Sequence, residues 1–175
     1  TTPDPHLLYY YLDELYKRGA EYVVMEVSAH AISQKKVAPI KFKTLVYTNC
    51  TADHLDYFKN FAKYAETKKS IMKNEFADVL VVNADDATGR SVAREQRCVT
   101  YGIKFPADVF AVNIEEKETG LKYVVNLFDK LYEVRTSLLG LYNVYNGLAA
   151  ATVCFSLGIC AEVVGKGLCE AHAVK

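Results

Sequence analysis

Three polar clusters in this chain follow short apolar runs, and each carries groups able to bind a metal or a phosphate. Glu26 and Ser28 follow the run YVVM. Thr48, Asn49, Asp53 and His54 follow TLVY. Asn83, Asp85 and Asp86 follow DVLVV. An acidic residue closing a buried strand is where a nucleotide-hydrolysing fold carries its magnesium-binding carboxylate. A surface carboxylate or a helix cap is the plainer reading of Glu26, as it is of Asp85 and Asp86. A fourth feature is a lysine in an unexpected place. Lys68 lies at +7 from Phe61, +4 from Tyr64, −3 from Ile71 and −4 from Met72, which puts it in the apolar stripe of a helix, while Lys63 and Lys69 point away. Such a lysine can snorkel to water. Alternatively, desolvation favours its neutral amine, which carbon dioxide would convert to an anionic carbamate able to bridge to magnesium as a carboxylate does.

The elements that must position these groups are legible from periodicity. Residues 5–18 place Leu7, Leu8, Tyr11, Leu12, Leu15 and Tyr16 on a helical stripe, with Gly19 suited to the C-cap. Residues 21–27 read as a buried strand, after which Ser28 caps a short helix to about Gln34. Residues 44–49 form a second strand, residues 60–73 a helix, and residues 78–83 a third strand. This strand–helix rhythm predicts a mostly parallel α/β sheet flanked by helices. Beyond Arg97 the pattern changes to period-two alternation. Residues 108–138 predict an antiparallel β extension, with turns at 117–120 and 129–130. Residues 143–157 and 161–173 then read as two helices. Open α/β sheets bind ligands at the carboxyl ends of their strands, so the three polar clusters are expected on one edge.

Composition narrows the partners. The chain has 175 residues, 51% of them hydrophobic, enough for one sizeable core. Lysine plus arginine and aspartate plus glutamate both number 21, which gives no general argument for nucleic acid or an anionic membrane as partner. No apolar run is long enough to span a bilayer, and the first residues lack the basic and apolar regions of a signal peptide. Cys50, Cys98, Cys154, Cys160 and Cys169 are odd in number and contain no C-x-x-C pair. A disulfide framework or zinc ribbon is therefore not expected, and a reducing compartment, the cytoplasm, is.

Several stretches resemble a known family. MEVSAH at 25–30, TNCTADHLDY at 48–57 and YAETK at 64–68 resemble, in order and spacing, the MEVSSHAL, TNLTRDHLDYH and YxxxK signatures of the Mur ligases, most closely the MurE branch. Thr1-Thr2-Pro3 resembles the TTP segment upstream of them, and GLYNVYN at 140–146 the family's G-x-(H/F)-N-x-x-N. The fold implied is the family's central, P-loop-like domain. The activity implied is ATP-dependent amide ligation through an acyl phosphate, adding the third amino acid to UDP-MurNAc-L-Ala-D-Glu in peptidoglycan synthesis. The incoming amino acid would be meso-diaminopimelate or L-lysine. The resemblance implies that Glu26 holds the Mg2+ shared with the ATP phosphates, and that His54 and carbamylated Lys68 hold a second. It implies Thr1, Thr2, Ser28, Gln34 and Lys36 at the UDP-MurNAc-dipeptide and Asn143 and Asn146 beside the adenine. His30 is left with a structural role.

Two departures bear on these roles. Ala29 replaces the second serine of SSH, and Lys36 replaces an arginine, keeping the charge and losing the planar fork. No G-x-x-G-K-T/S loop occurs in the 175 residues. The phosphate loop, a uridine-holding N-terminal domain and an amino-acid-binding C-terminal domain are thus expected outside them, and these residues alone are expected to be inactive. The competing expectations are a folylpolyglutamate synthetase-like ligase, the Mur-like partner of a glutamine amidotransferase, which the cysteine spacing does not fit, and a nucleotide-sugar-binding fragment without turnover.

Overall fold

A computed structural model describes residues 2–51 and 55–172. The chain forms two compact units, one built from Thr1–Lys41 and Ala52–Ile71, the other from Phe42–Thr51 and Met72–Lys175.

The first unit is helical. Helix α1 spans Pro5–Lys17, with proline at its first position, where the missing N–H is not needed. Helix α2 is Ala29–Ser33, capped by the Ser28 hydroxyl, which accepts the Ala31 N–H at 3.2 Å. Helix α3 is Leu55–Phe58. Helix α4 is Phe61–Ser70, capped by Asn60, whose side-chain oxygen accepts the Lys63 N–H at 2.9 Å. Residues 21–27 correct the sequence reading. The chain there has no regular secondary structure and joins no sheet among the described residues, and Tyr22, Val23 and Val24 are 65, 45 and 98% exposed. Apolar β-branched residues favour an extended backbone, but a strand exists only where a neighbour takes up its N–H and C=O groups. The described part of this unit contains no strand.

The second unit is a six-stranded sheet in sequence order: β1 (Phe42–Tyr47), β2 (Ala77–Asn83), β3 (Val99–Gly102), β4 (Val109–Lys117), β5 (Gly120–Leu127) and β6 (Lys130–Thr136). Strands β1 to β4 run parallel. Strands β4, β5 and β6 form the antiparallel meander expected from the alternation, with Val109 opposite Leu127 and Leu121 opposite Thr136. Helix α5 (Ala87–Glu95) packs on β2, and α6 (Leu141–Ser156) lies over β2 to β5, with α7 (Ala161–Glu170) on β6. Consecutive residues Leu80, Val81, Val82 and Asn83 are all buried, as required of a parallel strand covered on both faces. The core runs through Val81, Tyr101, Val109, Tyr123, Val125 and Val134 on the sheet to Val144, Leu148, Ala151 and Val164 on α6 and α7. β3 went unrecognised in the sequence, and α5 was expected only as an unbounded helix that Asp85 or Asp86 would cap. A strand of four residues is too short to show a period.

Candidate functional site

In the first unit, Thr2, Glu26 and Ser28 come together. The Thr2 hydroxyl donates to the Glu26 carbonyl at 2.8 Å and accepts the Ser28 N–H at 3.0 Å. Two backbone groups of this irregular segment are satisfied this way, and it is tied down beside the exposed Glu26. Lys36 is half-buried and pairs with Asp4, which, first through their hydrogen bond and then through the ammonium charge, holds the Asp4 carboxyl below its ordinary value. Gln34 is the exposed C-cap of α2. Thr1 and His54 lie outside the described residues.

Lys68 is half-buried near the end of α4, its ammonium 5.5 Å from the centre of the Tyr64 ring, a cation–π distance. The apolar stripe predicted around it is shorter than the spacing suggested. Tyr64 is buried, but Phe61 is exposed; α4 stops at Ser70, with Ile71 its C-cap and the buried Met72 beyond the helix. Lys69, expected to point away, is also half-buried. The His30 ring lies 4.3 Å from Tyr57 and 5.3 Å from Phe58, centre to centre.

In the second unit, the carboxyl ends of the parallel strands are joined by side chains of the Asn83-Ala-Asp-Asp86 turn. The Asn83 amide donates to the Thr48 carbonyl at 2.8 Å, and its oxygen accepts the Asp85 N–H at 2.9 Å. Asp86 caps α5, accepting from the N–H groups of Thr88 and Gly89 at 2.9 and 3.2 Å. It also accepts the Tyr47 hydroxyl at 3.1 Å and the Cys50 N–H at 3.0 Å, which anchors the chain beyond β1. Burial, and behind it the Asp86 charge, raises the Tyr47 phenol well above its ordinary value, so it stays a donor.

Asp85 has a different role. It accepts the N–H groups of Ile103, Lys104 and Phe105 and the Tyr145 hydroxyl. Burial works to raise this carboxyl. The Ile103 N–H, the Tyr145 hydroxyl and the other two N–H groups outweigh it and hold the group below its ordinary value. Beside Phe105, the Arg90 guanidinium stacks on the ring at 4.2 Å and donates to the Ala84 carbonyl at 2.8 Å. Asn143 and Asn146 occupy the first turns of α6. The Asn146 amide donates to the Asn143 oxygen at 3.3 Å, and the Asn143 amide to the Leu139 carbonyl at 2.7 Å. The Gly140 N–H, just before α6, donates to a Glu116 carboxylate oxygen at 2.7 Å.

Thr48 of the second polar cluster therefore shares one edge with the third cluster and the N-terminus of α6, while Asp53, like His54, lies outside the described residues. The sequence reading gave Asp85 as a member of a ligand-binding cluster or a helix cap, and it passed over Tyr145, Arg90 and Phe105. Tyr145 stood inside the GLYNVYN match, but only the fold brings it to Asp85.

Comparison with known proteins agrees with this arrangement. The profile of the Mur ligase middle domain matches residues 1–154. A UDP-N-acetylmuramoyl-L-alanyl-D-glutamate–2,6-diaminopimelate ligase of Chromobacterium violaceum is 40% identical over 160 residues, covering 88% of this chain and 32% of that protein. The ligase of the same name from Caldanaerobacter subterraneus is 36% identical over 170 residues, covering 96% of this chain and 35% of that protein. The chain thus spans about a third of the length of these relatives. Among solved structures, a ligase of that name superposes with a TM-score of 0.91 at 24% identity, covering 100% of this chain and 37% of the other, a likeness of fold. A pseudomurein peptide ligase type C from Methanothermus fervidus gives a TM-score of 0.72 at 25% identity, covering 85% and 37%. With this fold and a profile match over residues 1–154, the chain belongs to the Mur ligase family, as a middle domain.

Proposed function

We propose that these residues are the central, ATP-handling domain of a MurE-type ligase, which joins an amino acid to UDP-MurNAc-L-Ala-D-Glu in the cytoplasm. The observation that carries this reading is the 36–40% identity, over most of the chain, to relatives named for that reaction. Those names specify 2,6-diaminopimelate, which makes it the first amino acid to test and L-lysine the second. No helix among the described residues is long and apolar enough to cross a membrane, and both UDP-linked substrate and ATP are water-soluble.

The chemistry asks for two anions to be held together: the substrate carboxylate, which attacks the γ-phosphate, and the phosphate itself. The incoming amine then attacks the carbonyl carbon of the acyl phosphate, and the amide forms as inorganic phosphate leaves and the amine gives up a proton. In this reading Thr2, Ser28 and Lys36 hold the nucleotide-sugar, with Thr1 and Gln34, and Asn143 and Asn146 hold the adenine. Mg2+ fits the donors offered, since a carboxylate and a carbamate are hard oxygen ligands. Glu26 exposes such a carboxylate, and Lys68 has an amine that carbon dioxide would convert to the second. Among the described residues no group of three or more His, Cys, Asp or Glu side chains could hold a metal alone, so Mg2+ would be held jointly with the phosphates, with His54 and with the Lys68 carbamate. When bound, it screens the charges that must meet.

The test is the full-length protein with ATP, Mg2+, UDP-MurNAc-L-Ala-D-Glu and each amino acid in turn. ADP release that depends on the amino acid, with a product of the mass of the tripeptide, is expected. ADP release without that dependence, or none, would overturn the reading.

A further inference from the structure

β3 and β4 pair in parallel, Tyr101 beside Val109 and Gly102 beside Phe110, yet only residues 103–108 connect them. Parallel neighbours ordinarily need a crossover of about a dozen residues or more. So short a link must loop out and return at the carboxyl edge, and its N–H groups then have no ladder to join. Asp85 takes three of them: Ile103 at 2.7 Å, Lys104 at 2.9 and 3.1 Å to its two oxygens, and Phe105 at 2.8 Å. The approach is close. A Cβ on Gly102 would stand 3.0 Å from an Asp85 oxygen.

Loop closure by itself would account for those three bonds. It does not account for the Tyr145 hydroxyl, which donates to the same carboxylate at 2.7 Å from 60 residues away. Nor is helix capping available as the explanation, because the cap of α5 is Asp86. Tyr145 lies between Asn143 and Asn146 in sequence, on the turn of α6 that carries both. The apolar contacts of Val144, Leu148 and Ala151 hold α6 down on the sheet, but such contacts are non-directional. A short bond from a phenol to a carboxylate is directional and charge-assisted, and it fixes the rotation and axial register of that turn.

We propose that Asp85 is a positioning residue of the nucleotide half of the site: through Tyr145 it locks the first turns of α6, with Asn143 and Asn146, to the carboxyl ends of β2 and β3. The proposal rests on the reading of α6 as the adenine-side element. Asp85 and Tyr145 themselves need not touch the nucleotide.

The experiment uses the full-length protein and titrates a non-hydrolysable ATP analogue with Mg2+, alongside steady-state kinetics. Tyr145→Phe keeps the ring and removes the one hydrogen bond. It should weaken nucleotide binding about 3- to 10-fold and raise the KM for ATP, with the KM for UDP-MurNAc-L-Ala-D-Glu unchanged. Asp85→Asn should do at least as much. The double variant should be no worse than Asp85→Asn, because both changes remove one coupling. Val134→Ala, a cavity in the core under β6, is the control for a purely structural effect: it should lower the melting temperature and leave nucleotide affinity alone. Asn143→Ala and Asn146→Ala separate the two readings. If they weaken nucleotide binding while Tyr145→Phe and Asp85→Asn do not, the positioning role is refuted and the adenine-side reading stands. If none of the four matters, the reading of α6 fails and the proposal falls with it.

Discussion

On the proposed function, Lys68 is the side chain on which turnover depends most, and its neighbour supplies the comparison. The two lysines are adjacent and both half-buried, with the Lys68 ammonium over the Tyr64 ring. In the full-length ligase Lys68→Ala should abolish product formation with little change in the KM for the UDP-dipeptide, since the substrate is held elsewhere and the loss falls on transition-state screening. Lys69→Ala should be nearly silent. Product assays on the two variants decide this, and the reverse pattern would remove Lys68 from the site. A second residue-scale expectation concerns acid. The Asp85 carboxyl titrates below its ordinary value when folded, so the unfolded chain takes up that proton first. Asp85 therefore stabilises the fold at neutral pH, and the contribution disappears as pH falls below ~4 and through the folded value. The stability gap between wild type and Asp85→Asn, read from urea melts at a series of pH values, should narrow on acidification. A gap that stays constant to the acid limit would show that the charge of Asp85 plays no part.

At the scale of the element, α5 and its approach to β2 are set by small residues and a cap. Gly89 packs so close to the end of β2 that a methyl group there would press into the Asn83 carbonyl, a backbone atom that cannot turn aside. Gly89→Ala should cost about 1–3 kcal/mol or more despite the better helix propensity of alanine. In α7, nothing lies within 4 Å of a Cβ at Gly167, and Gly167→Ala should stabilise by about 0.4–1 kcal/mol. Chemical denaturation of both variants tests the pair, and equal effects would contradict the close packing. Periodicity placed most elements well: β2, β4 to β6 and the long helix after Gly140 stand within a few residues of where alternation and apolar spacing put them. It failed where its premise failed. Residues 21–27 have strand composition and no partner strand among the described residues, while β3 has a partner on each side and too few residues to show a pattern.

At the scale of the whole chain, the candidate nucleotide-sugar contacts at Thr2, Ser28 and Lys36 belong to one compact unit, and the Asn83–Asp86 turn, the 103–105 loop and the start of α6 to the other. Amide hydrogen exchange on the full-length protein should reflect this division. An ATP analogue should slow exchange at 83–86, 103–105 and 141–146, and the UDP-dipeptide at 26–36. Protection of the first set by the UDP-dipeptide alone would reverse the assignment.

Residue identity in order was enough to indicate the family. MEVSAH, TADHLDY, YAETK and GLYNVYN each keep side chains of fixed chemistry at fixed local spacing, and local spacing survives in a sequence without any fold. Apolar alternation was likewise enough for the antiparallel strands β4 to β6, because a half-buried face imposes a period of two on the residues themselves. The role of Asp85 was not legible. Its partners are Ile103, Lys104, Phe105 and Tyr145, and three of the four contribute a backbone N–H, a group every residue but proline carries and no sequence distinguishes. Whether an aspartate after a strand caps the next helix or ties a loop and a distant tyrosine depends on which donors the tertiary fold brings within about 3 Å. In this chain one aspartate does each, and only the packing of β2 against β3 and α6 assigns the parts.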